Sequence, residues 1–364
     1  MGSDGKDGLK RRGAAAQTKH NRRPVMTITK KSPVYSRRSA LILSVAALGL
    51  GALATTAAWA QTSWPTKPVT LLVGFPPGGQ TDFAGRALLN GLQSSLGQSF
   101  VIDNKAGVNG NIASIEVMRA APDGNKLLVG NGSMTIMPHV YTKLGIVDPQ
   151  KLTPIGVMLQ SPLVLVVPAS SPIKTYAQFV EEVKARDKSG KTIDYGSGGT
   201  GALPHVTMEL LRERMGGPKM NHVPYKGSSP AMVDLMAGRL DAMFDATSVV
   251  APFIKSGQLR PLMVTGPKRV AMIPDVPTAT ESGIKDFTII SFIGLYGPPG
   301  LSPDIVKKAN GALNTALKDP AVVKSIVDRG DEPGGGTPEQ LATLTRTHYK
   351  MWGEVVKANH ITAD

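Results

Sequence analysis

The chain of 364 residues contains no cysteine. That excludes a disulfide framework, a thiolate zinc site, an iron–sulfur cluster and a cysteine nucleophile. Other chemistry is missing as well. No H-E-x-x-H, G-x-S-x-G or Walker loop occurs, and His20, His139, His205, His222, His348 and His360 form no ligand-spaced cluster. The sequence therefore points to no metal, no resident cofactor and no catalytic role. Aromatic residues make up only 5% of the chain and charged residues 19%, while 40 Gly and 28 Pro punctuate a composition that is 41% hydrophobic. Such a chain is neither a coiled coil nor disordered throughout, and its length fits about two domains.

Acidic residues are scarce, 27 against 41 basic ones, for a net charge of +14. An excess of that sign raises the question of a nucleic acid or a membrane surface as partner. Its distribution argues against both. Eleven basic and two acidic residues precede Gln61, so the remaining 304 residues carry only +5, with no arginine-rich stripe. After Arg37-Arg38 comes an apolar stretch, Ala40 to Ala54, and then Thr55-Thr-Ala-Ala-Trp-Ala60. A basic region, an apolar core and an Ala58-x-Ala60 site are the parts of a secretory signal peptide, so a leader is expected over 1–60 with cleavage at Ala60–Gln61. Residues 1–25 are polar and basic, and Met26 is an alternative start, which makes 26–60 the signal peptide proper. The uncharged run from Ser39 to Thr66 is also long enough for a membrane anchor, but it is rich in Ala, Gly and Thr and ends in the cleavage motif. Arg37-Arg38 leaves general and twin-arginine export both open.

From Val69 onward, short apolar runs alternate with helical patterns. Val69–Phe75, Phe100–Asp103, Lys126–Gly130, Leu163–Val167, a run ending at Tyr195, Asn221–Pro224, Asp241–Phe244, Arg260–Val264 and Phe292–Tyr296 read as strands. Helices are predicted over 83–96, 111–120, 176–186, 204–215, 229–237, 248–255, 303–317, 321–329 and 338–358. The alternation gives an α/β fold with mixed, mostly parallel sheets.

Two glycine-rich turns join a strand to a helix: Phe75-Pro-Pro-Gly-Gly-Gln-Thr-Asp82 and Tyr195-Gly-Ser-Gly-Gly-Thr-Gly-Ala-Leu-Pro-His205. Bare backbone N–H groups and the positive end of the following helix dipole suit such turns to an anion. Gly196-Ser-Gly198-Gly-Thr-Gly201 also matches the dinucleotide fingerprint, which makes an exported NADP-dependent oxidoreductase the rival reading. Against it, the segment from Lys219 to Lys226 offers no acid for the ribose.

These segments carry a family resemblance. Trp64-Pro-Thr-Lys-Pro-Val-Thr70 followed by the first glycine turn resembles the opening of the tripartite tricarboxylate transporter substrate-binding proteins, the Bug family. Asp103-Asn-Lys-Ala-Gly107, Gly110-Asn-Ile-Ala113, Ala120-Ala-Pro-Asp-Gly124, His222-Val-Pro-Tyr-Lys-Gly227, Gly238-Arg-Leu-Asp-Ala-Met-Phe-Asp245, Pro274-Asp-Val-Pro-Thr278 and Phe292-Ile-Gly-Leu-Tyr-Gly-Pro298 follow in order. The resemblance implies a two-lobed periplasmic binding protein, a Venus-flytrap of type II, with one lobe from 61–163 plus 285–364 and the other from 164–284. It implies a small carboxylate as ligand, a large and a small membrane subunit as partners, a monomer, and no nucleic acid. Carried over, it nominates Pro77, Gly78, Gly79, Thr81 and Asp82 from the first turn, and Ser197, Gly198, Thr200, Gly201 and His205 from the second.

Two positions depart from the family pattern. Gln80 and Ala202 stand where a hydroxyl residue is usual, and with Leu203 beside them they point to a larger or aromatic acid. Ser133 and Tyr225 are further candidates, each equally readable as part of a turn. His205 either lines the cleft or packs at the helix end, and Asp245 either lines it or caps the next helix.

Overall fold

The computed structural model describes residues 64–363. The leader, its cleavage site and the alternative start at Met26 lie outside the described residues. Among the described residues, no helix is long and apolar enough to cross a membrane.

One strand organises the molecule. β4 (Thr153–Pro168) runs for 16 residues through two sheet halves. Its first part pairs antiparallel with β9 (Ile290–Gly297) and β10 (Glu332–Gly335), and its second part with β7 (Ala242–Ala246) and β8 (Leu259–Val264). Outward from β9 lie β3 (Lys126–Asn131), β1 (Val69–Val73) and β2 (Phe100–Asn104); outward from β7 lie β5 (Ile193–Ser197) and β6 (Met220–Pro224). The sheet is mixed, as expected, but parallel pairing is confined to the two wings. Every pair that involves β4 or β9 is antiparallel.

Helices cover both faces. The first wing carries α1 (Gln80–Leu96), α2 (Asn111–Met118) and the short α3 (Met137–Val140). The second carries α4 (Tyr176–Lys188), α5 (Leu203–Arg214), α6 (Ser228–Met236) and α7 (Thr247–Lys255). α8 (Pro303–Ala316), α9 (Pro320–Val327) and α10 (Pro338–Ala358) complete the chain.

Strand alternation sorts the core. Leu71 and Val73 join Leu88, Leu92 and Leu313 on one face of the first wing, while Leu72 turns to Leu128, Phe292 and Tyr296 on the other. In β4, Leu163, Leu165 and Val167 pack with Tyr195, Phe244 and Trp352, whereas Val164 and Val166 face Met232, Leu235 and Met243. α10 contributes Leu341 to a cluster of the first wing and Trp352 to a cluster of the second, so one helix buttresses both. The parallel strands β1, β3, β5 and β6, together with β7, all end toward the same region, the side on which open α/β sheets bind ligands.

Candidate functional site

A cleft of about 630 Å³ opens at those strand ends. That volume lies within the range of roughly 300–1,000 Å³ usual for small-molecule sites. Its floor and walls come from the turns after β1, β3, β5, β6 and β7, with Leu163 of β4, Ser291 of β9 and Arg329 beyond α9.

The first turn is held from behind. Asp82 is only 2% exposed, and its Oδ2 accepts the Gly78 N–H (2.9 Å) and the Arg86 Nε–H (2.9 Å), while Oδ1 accepts from Asn104 Nδ2 (3.0 Å). Burial opposes its ionisation, but those three bonds outweigh burial and keep its carboxyl below the ordinary range. Gly74 is required at the base of this turn, because a Cβ there would lie 2.4 Å from the Gly110 Cα. Pro77, Gly78, Gly79, Gln80 and Thr81 thus line the cleft and Asp82 does not.

The second turn divides in the same way. Gly198, Ala202, Leu203 and Pro204 face the cleft, while Ser197, Thr200, Gly201 and His205 do not line it. Ser197 Oγ sits 2.7 Å from His222 Nε2, and the Gly201 N–H donates to His205 Nδ1 (3.1 Å). The His205 and His222 rings stack at 3.7 Å, 8° from parallel. Burial pulls His205 down to about 4, and burial together with the neighbouring His205 pulls His222 down to about 3. The Thr200 carbonyl accepts from Asn109 Nδ2 (3.2 Å) and Tyr141 OH (3.3 Å), tying the turn to the opposite wing. These four residues shape the loop behind the cleft. Tyr225 is likewise off the cleft, since its hydroxyl donates to Asp234 Oδ2 (2.6 Å).

Ser133 and Asp245 do line the cleft. Ser133 Oγ accepts the Leu203 N–H (3.3 Å), bridging the wings. Asp245 is 5% exposed; its Oδ1 accepts the Ala246 N–H (2.8 Å), and the Ser228 hydroxyl stands beside its carboxylate. Burial pushes it up to about 6, against the Ser228 hydroxyl and the Ala246 N–H. Gln80 does more than replace a hydroxyl: its Nε2 donates to Asp331 Oδ1 (3.0 Å) and to Ser248 Oγ (3.3 Å), linking the starts of α1 and α7.

Sequence reading left out Gly227 with the first residues of α6, Ser228 to Pro230, and Arg329, all of which line the cleft. Gly227 between a strand and Ser228-Ser229 repeats the pattern of the other two turns and was the available signal. Arg329 has none, because it follows α9 in an unremarkable segment. Its guanidinium lies 4.2 Å from the Phe83 ring centroid, and its Nε is buried without a partner. Neither Arg329 nor Lys226 makes an ion pair within 4 Å among the described residues. Phe75, Leu163, Leu203, Val249 and Phe253 give the cleft an apolar wall.

Among helices longer than one turn, capping differs between this region and the rest of the described residues. α1, α5, α6 and α7 all begin at the cleft, and their N-cap residues, Gly79, Ala202, Gly227 and Ala246, provide no side-chain cap. α4, α8, α9 and α10 begin elsewhere, and each is capped by its own side chain, from Thr175, Ser302, Asp319 and Thr337. α2 and the one-turn α3 are also without a side-chain cap; Asn109 just before α2 lines the cleft, whereas α3 begins away from it. A helix start has backbone N–H groups with no intrahelical partner and about half a positive charge. Around one cavity, with Lys226 and Arg329 at its edge, the starts of α1, α6 and α7 can hold an anion; in α5 the Leu203 N–H is taken by Ser133 Oγ and Pro204 has no N–H. The dinucleotide fingerprint has its expected strand–turn–helix setting, but residues 219–226 after it supply no carboxylate for a ribose.

The chain is similar to known proteins over most of its length. The model of the tripartite tricarboxylate transporter family receptor matches residues 84–361. Protein BugT of Bordetella pertussis is 31% identical over 322 residues, covering 87% of this chain and 96% of its own. A Rhodopseudomonas palustris protein solved with adipate superposes with a TM-score of 0.76 at 31% identity, over 82% of this chain and all of that one. MatC from the same organism, solved with bound malate, gives a TM-score of 0.72 at 29% identity, over 80% and 100%.

Proposed function

The chain belongs to the tripartite tricarboxylate transporter receptor family, and from that premise we propose that its cleft captures a carboxylate in the periplasm and hands it to a membrane transporter. The single observation that carries this reading is the set of three helix starts, of α1, α6 and α7, that face the cleft without side-chain caps. A ligand carboxylate supplies the missing acceptor. A micromolar binder needs about 8 kcal/mol net. Four to six charge-assisted hydrogen bonds, at roughly 1.5–3 kcal/mol each, cover that and the cost of ordering the ligand. Chemistry is not required of any residue: the site binds, excludes water and releases.

We assign residues 61–163 with 285–364 to one lobe and 164–284 to the other, the lobes closing on the ligand about β4. The leader directs export and is removed at Ala60–Gln61, and the mature receptor works as a monomer with a large and a small membrane subunit. The two relatives solved with adipate and malate support a carboxylate as the ligand class. The apolar wall and the absence of a hydroxyl at Ala202 favour a larger or aromatic acid over a short diacid.

Thermal melting with a panel of aliphatic acids, aromatic acids and NADP tests this. A cleft-binding acid at a hundred times its Kd stabilises the fold by about 2.7 kcal/mol. Aromatic or long acids are expected to raise the melting temperature saturably, and NADP to leave it unchanged. A shift with NADP alone contradicts the receptor reading, and a preference for short diacids contradicts the choice of a bulky acid.

A further inference from the structure

The turn that leads into α2 is strained, and it reaches across the cleft. Val108 (φ 46°) and Asn109 (φ 47°) both occupy the left-handed region, between Gly107 (φ 147°) and Gly110 (φ 88°). A β-branched residue is disfavoured there, and Val108 recovers little by burial, since it is 43% exposed. The first wing pins the turn at both ends. A Cβ at Gly107 would lie 2.3 Å from Ile112 Cδ1, and one at Gly110 would lie 3.1 Å from the Phe75 ring. Such strain persists only where surrounding contacts hold it, and it gathers at sites that work. What this turn delivers is Asn109, which lines the cleft and whose Nδ2 donates to the Thr200 carbonyl of the second wing (3.2 Å) and to Met137 Sδ of the first (3.4 Å).

The peptide that joins Thr200 to Gly201 is thereby held on both edges. Its carbonyl accepts from Asn109 and from Tyr141 OH (3.3 Å), both on the first wing, and its N–H donates to His205 Nδ1 (3.1 Å) behind it. The N–H groups of Gly199, Ala202 and Leu203 in the same turn are taken by Ser197 Oγ, the Gly199 carbonyl and Ser133 Oγ. We infer that Asn109 is a clasp, a positioning residue that bonds the second glycine turn to the first wing across the cleft, and that the strain at Val108 is the spring opposing it. The inference rests on the proposed parting of the wings about β4, but not on which ligand they hold. A ligand between the wings leaves only when they part, so the clasp and its spring set how much of the protein is competent to hold it, apart from the ligand's own contacts.

Two glycine substitutions separate the parts. Asn109→Gly keeps the left-handed backbone without steric cost and removes only the amide, whereas Val108→Gly removes the strain and leaves the amide in place. They should act in opposite directions, which a general packing defect would not do. The chain has no cysteine, so Leu144→Cys and Val233→Cys, exposed at 51% and 55% on the two wings, place one spin label on each. Asn109→Gly is expected to lengthen the distance between the labels and to weaken calorimetric binding of adipate, malate or 3-phenylpropanoate about fivefold, the worth of one neutral hydrogen bond, while melting within a few degrees of the parent. Val108→Gly is expected to shorten or narrow the label distances and to tighten binding at least about twofold. Parent-like distances and affinity in Asn109→Gly, or a shift of both variants in the same direction, overturn the clasp and leave the carboxylate reading standing. Saturable binding of none of the three acids, with the label distances moving as expected, overturns the carboxylate reading and leaves the clasp standing.

Discussion

A Gly79→Asp variant should bind carboxylates at least about a hundredfold more weakly than the parent while melting within a few degrees of it. Gly79 is the N-cap of α1, its backbone is extended (φ −76°, ψ 172°), and the nearest atom to an added Cβ is the Pro76 carbonyl oxygen at 3.9 Å. An aspartate therefore fits without strain and acts as the side-chain cap that α1 lacks, worth a few tenths of a kcal/mol over glycine. The same carboxylate occupies the place of the ligand's. Two unit charges about 4 Å apart at an effective dielectric near 20 repel by about 4 kcal/mol, which exceeds the ~2.7 kcal/mol of a hundredfold loss. Binding by fluorescence or calorimetry, with melting alongside, separates the two effects. Unchanged affinity in Gly79→Asp would mean that the start of α1 does not hold the ligand. The opposite pattern is expected at a helix that does not face the cleft. There, Thr175→Ala removes a native cap, costs about 1 kcal/mol of stability and leaves affinity alone.

Acid should destabilise the folded protein well before its carboxylates titrate in the ordinary range. Burial holds His205 at about 4, His222 at about 3 and His348 at about 4 in the fold, whereas all three return to about 6.5 when unfolded. Between pH 6.5 and these lowered values the unfolded chain binds more protons, so stability is fully present above 6.5 and is lost as the pH falls. At pH 5 each histidine accounts for roughly 2 kcal/mol of the loss. Asp245, raised to about 6, and Asp331, raised by burial, work the other way, because the fold holds their protons more tightly. Asp245 returns about 1 kcal/mol by pH 5. Urea titrations at pH 7 and pH 5 should thus differ by several kcal/mol. His222→Asn should shrink the difference by roughly 2 kcal/mol. Equal stability of the parent at the two pH values would show that these rings are hydrated rather than buried.

The same stack explains which site residues the sequence could reveal. Glycine turns between a strand and a helix are legible, because glycine and proline punctuate both periodicities, and the first and second turns do reach the cleft. The direction of a polar side chain is not legible. Ser197, Thr200, His205 and Tyr225 look like ligand contacts in a loop, yet Ser197 and His205 turn toward His222 and the loop backbone, Thr200 is held through its carbonyl and Tyr225 turns toward Asp234. In the fold, most strands and helices fall where periodicity puts them. β4 is the exception: Leu163–Val167 is visible as an apolar run, but Pro154, Gly156, Ser161 and Pro162 interrupt the pattern before it, and only pairing with β9 and β10 holds that half as a strand. β10, Glu-Pro-Gly-Gly, has no strand-forming residue and exists because β4 offers it an edge. Arg329 enters the cleft through tertiary packing on Phe83, which no local pattern encodes.

The central claim is that backbone N–H groups at helix starts without side-chain caps hold the ligand's acid group. A crystal structure of the receptor with a carboxylate identified by the melting panel tests it most directly. The account predicts carboxylate oxygens within 2.7–3.2 Å of backbone nitrogens in the first turn of α1 and of at least one of α6 and α7. A carboxylate held only by the side chains of Lys226 and Arg329, with those helix starts turned to water, would contradict it.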